Sequence, residues 1–411
     1  MQRILVLGAG FAGLWAAIGA ARARDEVGTG PDQFEILVLD SKPYHSIRVR
    51  NYEADLSATV IDLAKVLDPV GVRHVPADVT KIDVAERLVS YTANGVQQSV
   101  SYDRLVCALG SQLVRPAIPG LAEHTFDVDT YATATRLNEH IADLPSRAAS
   151  AGQFTALIVG AGLTGIETAT EMPAKLRRAI ANGSSSGTKP VPRVILADRQ
   201  QWIGSDMGES ARPVIAEALQ SLGIETRTAV SVAAVDADGA TLSTGERFEA
   251  ATVVWCAGMK ANPLAAQFAV PLDRLGRLPV DHFLRIKAVP AAFAAGDIAD
   301  LAVDEGRTSV MSCQHGRPMG RFAGHNVVCD LLGHPMLALQ IPWYTTILDL
   351  GPWGAVYTEG WDRRVVATGD AAKHTKEIIN RERIYPPLFG DRKAILDAAA
   401  PVVQTPPHRF D

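Results

Sequence analysis

Apolar residues in this chain gather into short unbroken runs that twice give way to glycine and then to helical spacing. Ile4-Leu5-Val6-Leu7 runs into Gly8-Ala9-Gly10-Phe11-Ala12-Gly13, and Ala156-Leu157-Ile158-Val159 into Gly160-Ala161-Gly162-Leu163-Thr164-Gly165. The spacing then becomes helical, in Leu14-Trp15-Ala16-Ala17-Ile18 and in Ile166-Glu167-Thr168-Ala169. A second strand pattern follows each helix and ends in an acid, Glu35 to Asp40 and Arg193 to Asp198. These patterns predict an α/β protein with two βαβ units, one over residues 1–40 and one opening near Thr155. The Gly/Asp-rich stretch Asp25 to Asp32 predicts an enlarged loop before the first unit's second strand.

Between the units, Val72 to Val75, Arg87 to Tyr91 and Tyr102 to Val106 carry strand character, ending at Ala108-Leu109-Gly110-Ser111. Pro116, Pro119 and Gly120 mark a crossing between domains. The second helix is expected to reach about Ile180, before a flexible surface loop at Asn182-Gly183-Ser184-Ser185-Ser186-Gly187. Ala251 to Trp255 and the turn Cys256-Ala257-Gly258 close that unit. Ala292 to Ile298 then reads as a strand ending in Gly296-Asp297 ahead of another helix. From about Asn326, aromatic strand segments alternate with turns and carry Trp343, Trp353 and Trp361.

The loop glycines have separate physical tasks. Gly8 and Gly160 allow a tight turn, and Gly10 and Gly162 let bare backbone approach a pyrophosphate. Gly13 and Gly165 let the next helix pack close. The pyrophosphate would sit against the free N–H groups and positive end of that helix, beside Phe11 and Ala12 in one loop and Thr164 in the other. Asp40 and Asp198 would accept hydrogen bonds from an adenosine ribose and repel a 2′-phosphate, with Ser41 and Lys42 adjoining one and Arg199 the other, where its guanidinium could instead pair with that phosphate. Each loop alone could be a glycine turn in an ordinary α/β domain. Two copies, each with its acid, imply two dinucleotides side by side and electron transfer between them.

Composition adds exclusions. The 411 residues suffice for two or three domains, and 47% hydrophobic and 21% charged residues are ordinary for a globular protein. A net charge of −5 gives no footing for nucleic acid. No apolar run is as long as a membrane span. The first strand begins too early to leave room for a cleaved signal peptide. Four cysteines without a C-x-x-C argue for a reducing, cytoplasmic setting. No metal site is expected.

Five landmarks in order resemble the two-dinucleotide flavoprotein oxidoreductases, the glutathione-reductase-like or pyridine nucleotide-disulfide oxidoreductase superfamily. They are the two G-x-G-x-x-G loops, Ala108-Leu109-Gly110, Cys256-Ala257-Gly258 and Ala295-Gly296-Asp297. Within it the chain is most similar to type II NADH dehydrogenases and their soluble relatives. The resemblance implies two Rossmann-like domains, a discontinuous FAD domain over 1–111 and 259–326 and an NAD(H) domain over 112–258. A small C-terminal α+β region over 327–411 completes it. FAD would occupy the first loop and NADH, rather than NADPH, the second, with Asp297 bonded to the flavin's ribityl or pyrophosphate part. An alternative role for Asp297 is to cap the following helix. The family's thiol relay has no counterpart, since Ser41-Lys42-Pro43-Tyr44-His45-Ser46-Ile47-Arg48 lacks cysteine. Cys107 and Cys256 read as buried, and Cys313 as packed or reactive.

The resemblance places Glu167 near the nicotinamide and flavin, although a carboxylate there could simply favour a helix N-terminus. Glu171 reads as a support or surface residue. Ser312-Cys313-Gln314-His315 departs from the family's Ala-Gln-x-Ala-x-Gln. Gln314 or His315 could bond a flavin carbonyl or an acceptor oxygen, and His315 could deliver a proton or be a packed histidine. Lys373, His374, Lys376, Arg381 and Arg383 among Ile378, Ile379 and Ile384 suggest a solvated helix face or a peripheral contact with the inner face of a membrane. Thr405 to Asp411 reads as a loose tail. Trp343, Tyr344 and Trp353 could wall an acceptor pocket.

The expected activity is therefore an FAD-dependent NADH:acceptor oxidoreductase, passing electrons to a quinone or other small acceptor, as a monomer or homodimer. Two alternatives are an oxidoreductase of a specialised small metabolite and a redox-sensing flavoprotein like the apoptosis-inducing factors.

Overall fold

The computed structural model describes residues 1–183, 190–388 and 390–407. The surface loop expected at Ser184 to Gly187 therefore lies outside the described residues, as does the tail beyond Pro407. The strands assemble around two parallel sheets. The first has five strands in the order Ala292–Ala294, Arg104–Cys107, Gln2–Leu7, Phe34–Asp40 and Arg73–Pro76. Ile4 to Leu7 is fully buried, as an unbroken apolar run must be when both sheet faces are covered. The second sheet orders Ile224–Arg227, Arg193–Ala197, Thr155–Val159 and Thr252–Trp255, again parallel.

Strand Ala292–Ala294 joins the first sheet from beyond the second, so the chain leaves one sheet, builds the other and returns. The outgoing strand Ser111–Leu113 pairs antiparallel with the returning strand Met259–Ala261. Antiparallel meanders accompany both sheets, over residues 78–101 and 232–249. This is the α/β, glutathione-reductase-like arrangement that the landmarks imply.

Helix Phe11–Glu26 is buried at every residue from Ala12 to Ala21, because it packs on the first sheet and on helix Cys313–Leu332. Small residues allow the two helices to touch through their backbones. A methyl added at Gly320 would strike the Ala12 carbonyl oxygen, and one at Gly324 the Ala16 carbonyl oxygen.

The C-terminal region is a three-stranded antiparallel sheet, Thr345–Asp349, Ala355–Glu359 and Arg364–Thr368. Helix Gly369–Ile378 lies against it, and a wide π turn follows over Ile379–Arg383. Trp343, Trp353 and Trp361 fall outside these strands, at loops and a short turn. No helix among the described residues is long and apolar enough to cross a membrane.

Three expectations change. Asp297 does not cap the next long helix: it lies in the short turn Gly296–Ile298, and the chain then forms the hairpin Ala302–Asp304 and Arg307–Thr308. The helix opens at Cys313, with Ser312 as its cap. The C-terminal basic helix is not simply a solvated face, because Lys376 is buried and Lys373 half-buried, each drawn inward by a carboxylate. The start of the expected loose tail is anchored: Arg383 donates to the Thr405 carbonyl, and Trp343 Nε1 to that of neighbouring Gln404 at 3.0 Å.

Candidate functional site: two glycine loops and a cavity at the second

The two glycine loops share a geometry. Gly8 and Gly160 have φ of +92° and +103°, a region that L side chains rarely adopt. Added methyls at Gly13 and Gly165 would collide with the Gly8 and Gly160 carbonyl oxygens, so each helix springs back over the start of its own loop. Ala108 and Ala257 back the first glycines from the neighbouring strand ends: an added methyl on Gly8 would lie 2.5 Å from the Ala108 carbonyl oxygen and one on Gly160 2.9 Å from Ala257 N. Gly110 and Gly258 turn with positive φ at the same ends.

The paired acids have a structural duty that the sequence did not disclose. Asp40 Oδ2 accepts from Ala9 N at 2.6 Å and Oδ1 from Lys42 N at 2.8 Å. Asp198 repeats this with Ala161 N at 2.5 Å and Gln200 N at 2.6 Å. Each acid thus clamps the second residue of its glycine loop while remaining half-buried. Ser41, Lys42 and Arg199 are exposed beside them.

Asp297 closes the far end of the first sheet. Its Oδ2 accepts from Ser111 Oγ at 2.6 Å and lies 3.7 Å from Arg48 Nη1. Arg48 also donates to Ser111 Oγ at 3.0 Å and pairs with Asp129. Burial raises the Asp297 pKa, with Ser111 and Arg48 opposing.

From the second loop a cavity of ≈ 1030 Å³ runs past Glu167 and Gln314 to Trp343, Tyr344 and Arg383. Asp198, Arg199, Gly160, Gly162 and Thr164 line one end. Glu167 is buried, and its Oε1 accepts from Lys376 Nζ at 2.7 Å and from Asp349 N at 3.2 Å. Burial raises the Glu167 pKa, and the Lys376 ammonium opposes that rise. Asp349 in turn holds Lys373 Nζ at 2.6 and 2.7 Å and accepts from Tyr52 Oη at 3.1 Å. Glu171, one turn on, is half-buried and likewise raised by burial.

The structure separates Gln314 from His315. Gln314 lines the cavity, and its buried Nε2 has no partner. His315 is absent from the wall. It is fully buried, with Nδ1 accepting from Val310 N at 2.9 Å and its ring against Tyr344 and Trp361 at 5.7 and 6.1 Å. Burial lowers its pKa to about 4, so the ring is neutral and its proton is on Nε2. This is a packed histidine behind the wall residue Tyr344, not itself lining the cavity. Burial pushes the Cys107 and Cys256 thiols up to about 12 and raises Cys313, which keeps all three protonated near neutral pH.

Two parallel sheets, two matched glycine loops, and a cavity running from the second loop to the C-terminal region define a two-dinucleotide oxidoreductase. Residues 2–320 match the family described as pyridine nucleotide-disulphide oxidoreductase, and the chain belongs to it. It is 58% identical over 407 residues to an NADH dehydrogenase-like protein of Mycobacterium tuberculosis, covering 99% of this chain and 100% of that one. It is 26% identical to a type II NADH:quinone oxidoreductase of Staphylococcus saprophyticus, over 93% and 95% of the two chains. The structure of NDH2 from Plasmodium falciparum in complex with NADH superposes with a TM-score of 0.76 over 97% of each chain, at 11% identity. The protein is an FAD- and NADH-dependent enzyme of the NADH dehydrogenase-like kind.

The residues present fit FAD. Helix Phe11–Glu26 starts at Gly10 with no side-chain cap and no acid in its first turn, leaving its N–H groups for a pyrophosphate. An added methyl on Gly10 would meet nothing within 4 Å, so the approach is open. The orphaned Gln314 amide offers a donor toward a ring carbonyl.

Sequence reasoning missed Asp349, Tyr52 and Asp129, and named Lys376 and Arg48 without their partners. Each acts through a partner far away in the chain. The run of basic residues near Lys376 was visible, but only the fold shows that it meets Glu167.

Proposed function

We propose that this enzyme oxidises NADH at the second glycine loop and reduces a quinone or similar small conjugated acceptor at the C-terminal end of the same cavity. The continuity of that cavity from Asp198, past Glu167 and Gln314, to Trp343 carries the reading. FAD, when bound between the first loop, Asp297 and Gln314, supplies a ring that accepts two electrons from NADH and releases them to the acceptor.

The chain's own residues bind, orient and shield. The Gly162 backbone and the helix start behind it seat the NADH pyrophosphate, and Asp198 fixes the loop and excludes a 2′-phosphate. The Lys376 bond holds Glu167 in one position at the middle of the cavity, a fixed negative charge against which the nicotinamide is aligned. Gln314 donates to a carbonyl oxygen that gains electron density during transfer. Buried Tyr344 and Ile347, with half-buried Trp343, wall the cavity and keep water from the junction. The enzyme works from the cytoplasmic side, with peripheral contact at the inner face of the membrane.

Anaerobic stopped-flow tests this. The yellow holoenzyme should bleach faster with NADH than with NADPH and recover its colour on adding a quinone. Equal rates with both nucleotides would overturn the role of Asp198. Bleaching without recovery on any acceptor would move the protein to the redox-sensing class.

A further inference from the structure

The acceptor end of the cavity carries charge that an uncharged quinone does not need. Arg317 and Arg321 lie one turn apart on helix Cys313–Leu332, are 6% and 3% exposed, and line the cavity. Their guanidinium carbons stack 5.0 and 4.4 Å from the centroid of the Trp15 ring. Arg383 lines the same end. Among the described residues, the acids on the cavity wall are Glu167, Asp198 and Asp206. Glu167 is paired with Lys376, Asp198 clamps the second loop, and Asp206 lies beside Gly162.

Among the described residues, the oxygens bonded to these arginines are neutral: Gln404 Oε1, 3.1 Å from Arg317 Nη1, and the Thr405 carbonyl on Arg383. The Nε atoms of Arg317 and Arg321 are buried without a partner. Buried cations are normally paired, because an isolated charge in an apolar site costs several kcal/mol. Arg50 and Arg277 show how this chain satisfies a buried guanidinium elsewhere, pairing with Glu53 at 2.6 Å and with Asp273 at 2.9 Å. Burial lowers the pKa of both Arg317 and Arg321, the direction expected when counter-charge is missing.

We propose that this arginine cluster binds the anionic group of the electron acceptor, so that the natural acceptor is a conjugated ring carrying a carboxylate. The inference rests on the function proposed above and narrows its acceptor. Trp343, Ile347 and Ile379 cover the ring, while Arg317 and Arg321 take the carboxylate. The overall exchange is NADH + H⁺ + acceptor → NAD⁺ + reduced acceptor, with two electrons and two protons gained by the ring and the carboxylate unchanged.

The test uses the FAD-loaded full chain and a naphthoquinone with a carboxyalkyl side chain, compared with its methyl ester. Wild-type kcat/KM should favour the acid by about tenfold or more, the scale of a hydrogen bond to a charged group. Added salt should erode the preference. Arg321→Met should collapse it, and Arg321→Lys should keep part of it. Equal kcat/KM for acid and ester in wild type would overturn the proposal, as would a preference that Arg321→Met leaves intact. Calorimetric titration with 1-naphthoate is independent of turnover. Saturable binding that Arg321→Met weakens supports the anion site even if neither quinone is reduced, in which case the quinone reading alone fails. No binding of 1-naphthoate to wild type counts against the site.

Discussion

The Glu167–Lys376 pair shows how much a residue's meaning depends on what the fold brings to it. Glu167 was legible as a candidate from its place after Gly165, but its partner stands 209 positions away and carried no local signal. Removing one partner should be costlier than removing both charges. Lys376→Met leaves a buried carboxylate unpaired and is expected to cost on the order of 3–5 kcal/mol, read as a lower urea midpoint at pH 7. Glu167→Gln combined with Lys376→Met should recover much of that loss. An unchanged midpoint for Lys376→Met alone would show that Glu167 is neutralised some other way. In the same cavity, Gln314 and His315 are neighbours in sequence with opposite fates, because one helical step turns a side chain by about 100°.

Elements with strong periodicity were readable. Strand, glycine loop and helix recur because a buried parallel strand must be apolar throughout and a phosphate-binding turn must be bare. The delay between Gly296-Asp297 and the next helix was not readable, since the intervening hairpin is short and mostly polar, without an alternating apolar face. The contact between helices Phe11–Glu26 and Cys313–Leu332 was also hidden, because glycine signals a close approach without naming its partner. Gly324→Ala should force these helices apart at an expected cost of about 1–3 kcal/mol. The first helix also presents the phosphate-binding N–H groups, so the variant should retain less flavin through gel filtration than wild type. Full flavin content with an unchanged melting temperature would contradict that coupling.

Across the whole molecule, His45, His140 and His315 are buried, and burial lowers each pKa from 6.5 to about 4. Between these values the unfolded chain binds protons that the folded chain refuses, so stability is lost as pH falls from about 6.5 toward 4. Glu167, Glu171 and Asp297, raised by burial, act in the opposite sense and temper the slope. His140, bonded to Thr252 Oγ1 at 3.0 Å and not part of the cavity wall, isolates one contribution. His140→Gln should flatten the dependence by on the order of 2 kcal/mol between pH 7 and 4.5, measured by denaturant titration of the holoenzyme. A slope identical to wild type would exclude it as a source.

The paired crossing strands have a consequence for how such a protein can be rebuilt. Val114 N donates to the Gly258 carbonyl at 3.0 Å, so the segment that carries the second glycine loop departs and returns at adjoining points. It is a cassette with its two ends side by side. A homologous cassette selecting the phosphorylated coenzyme could be spliced in through two neighbouring joints without disturbing the first sheet. The graft would have to bring its own counterpart of Glu167, because Lys376 stays behind in the recipient.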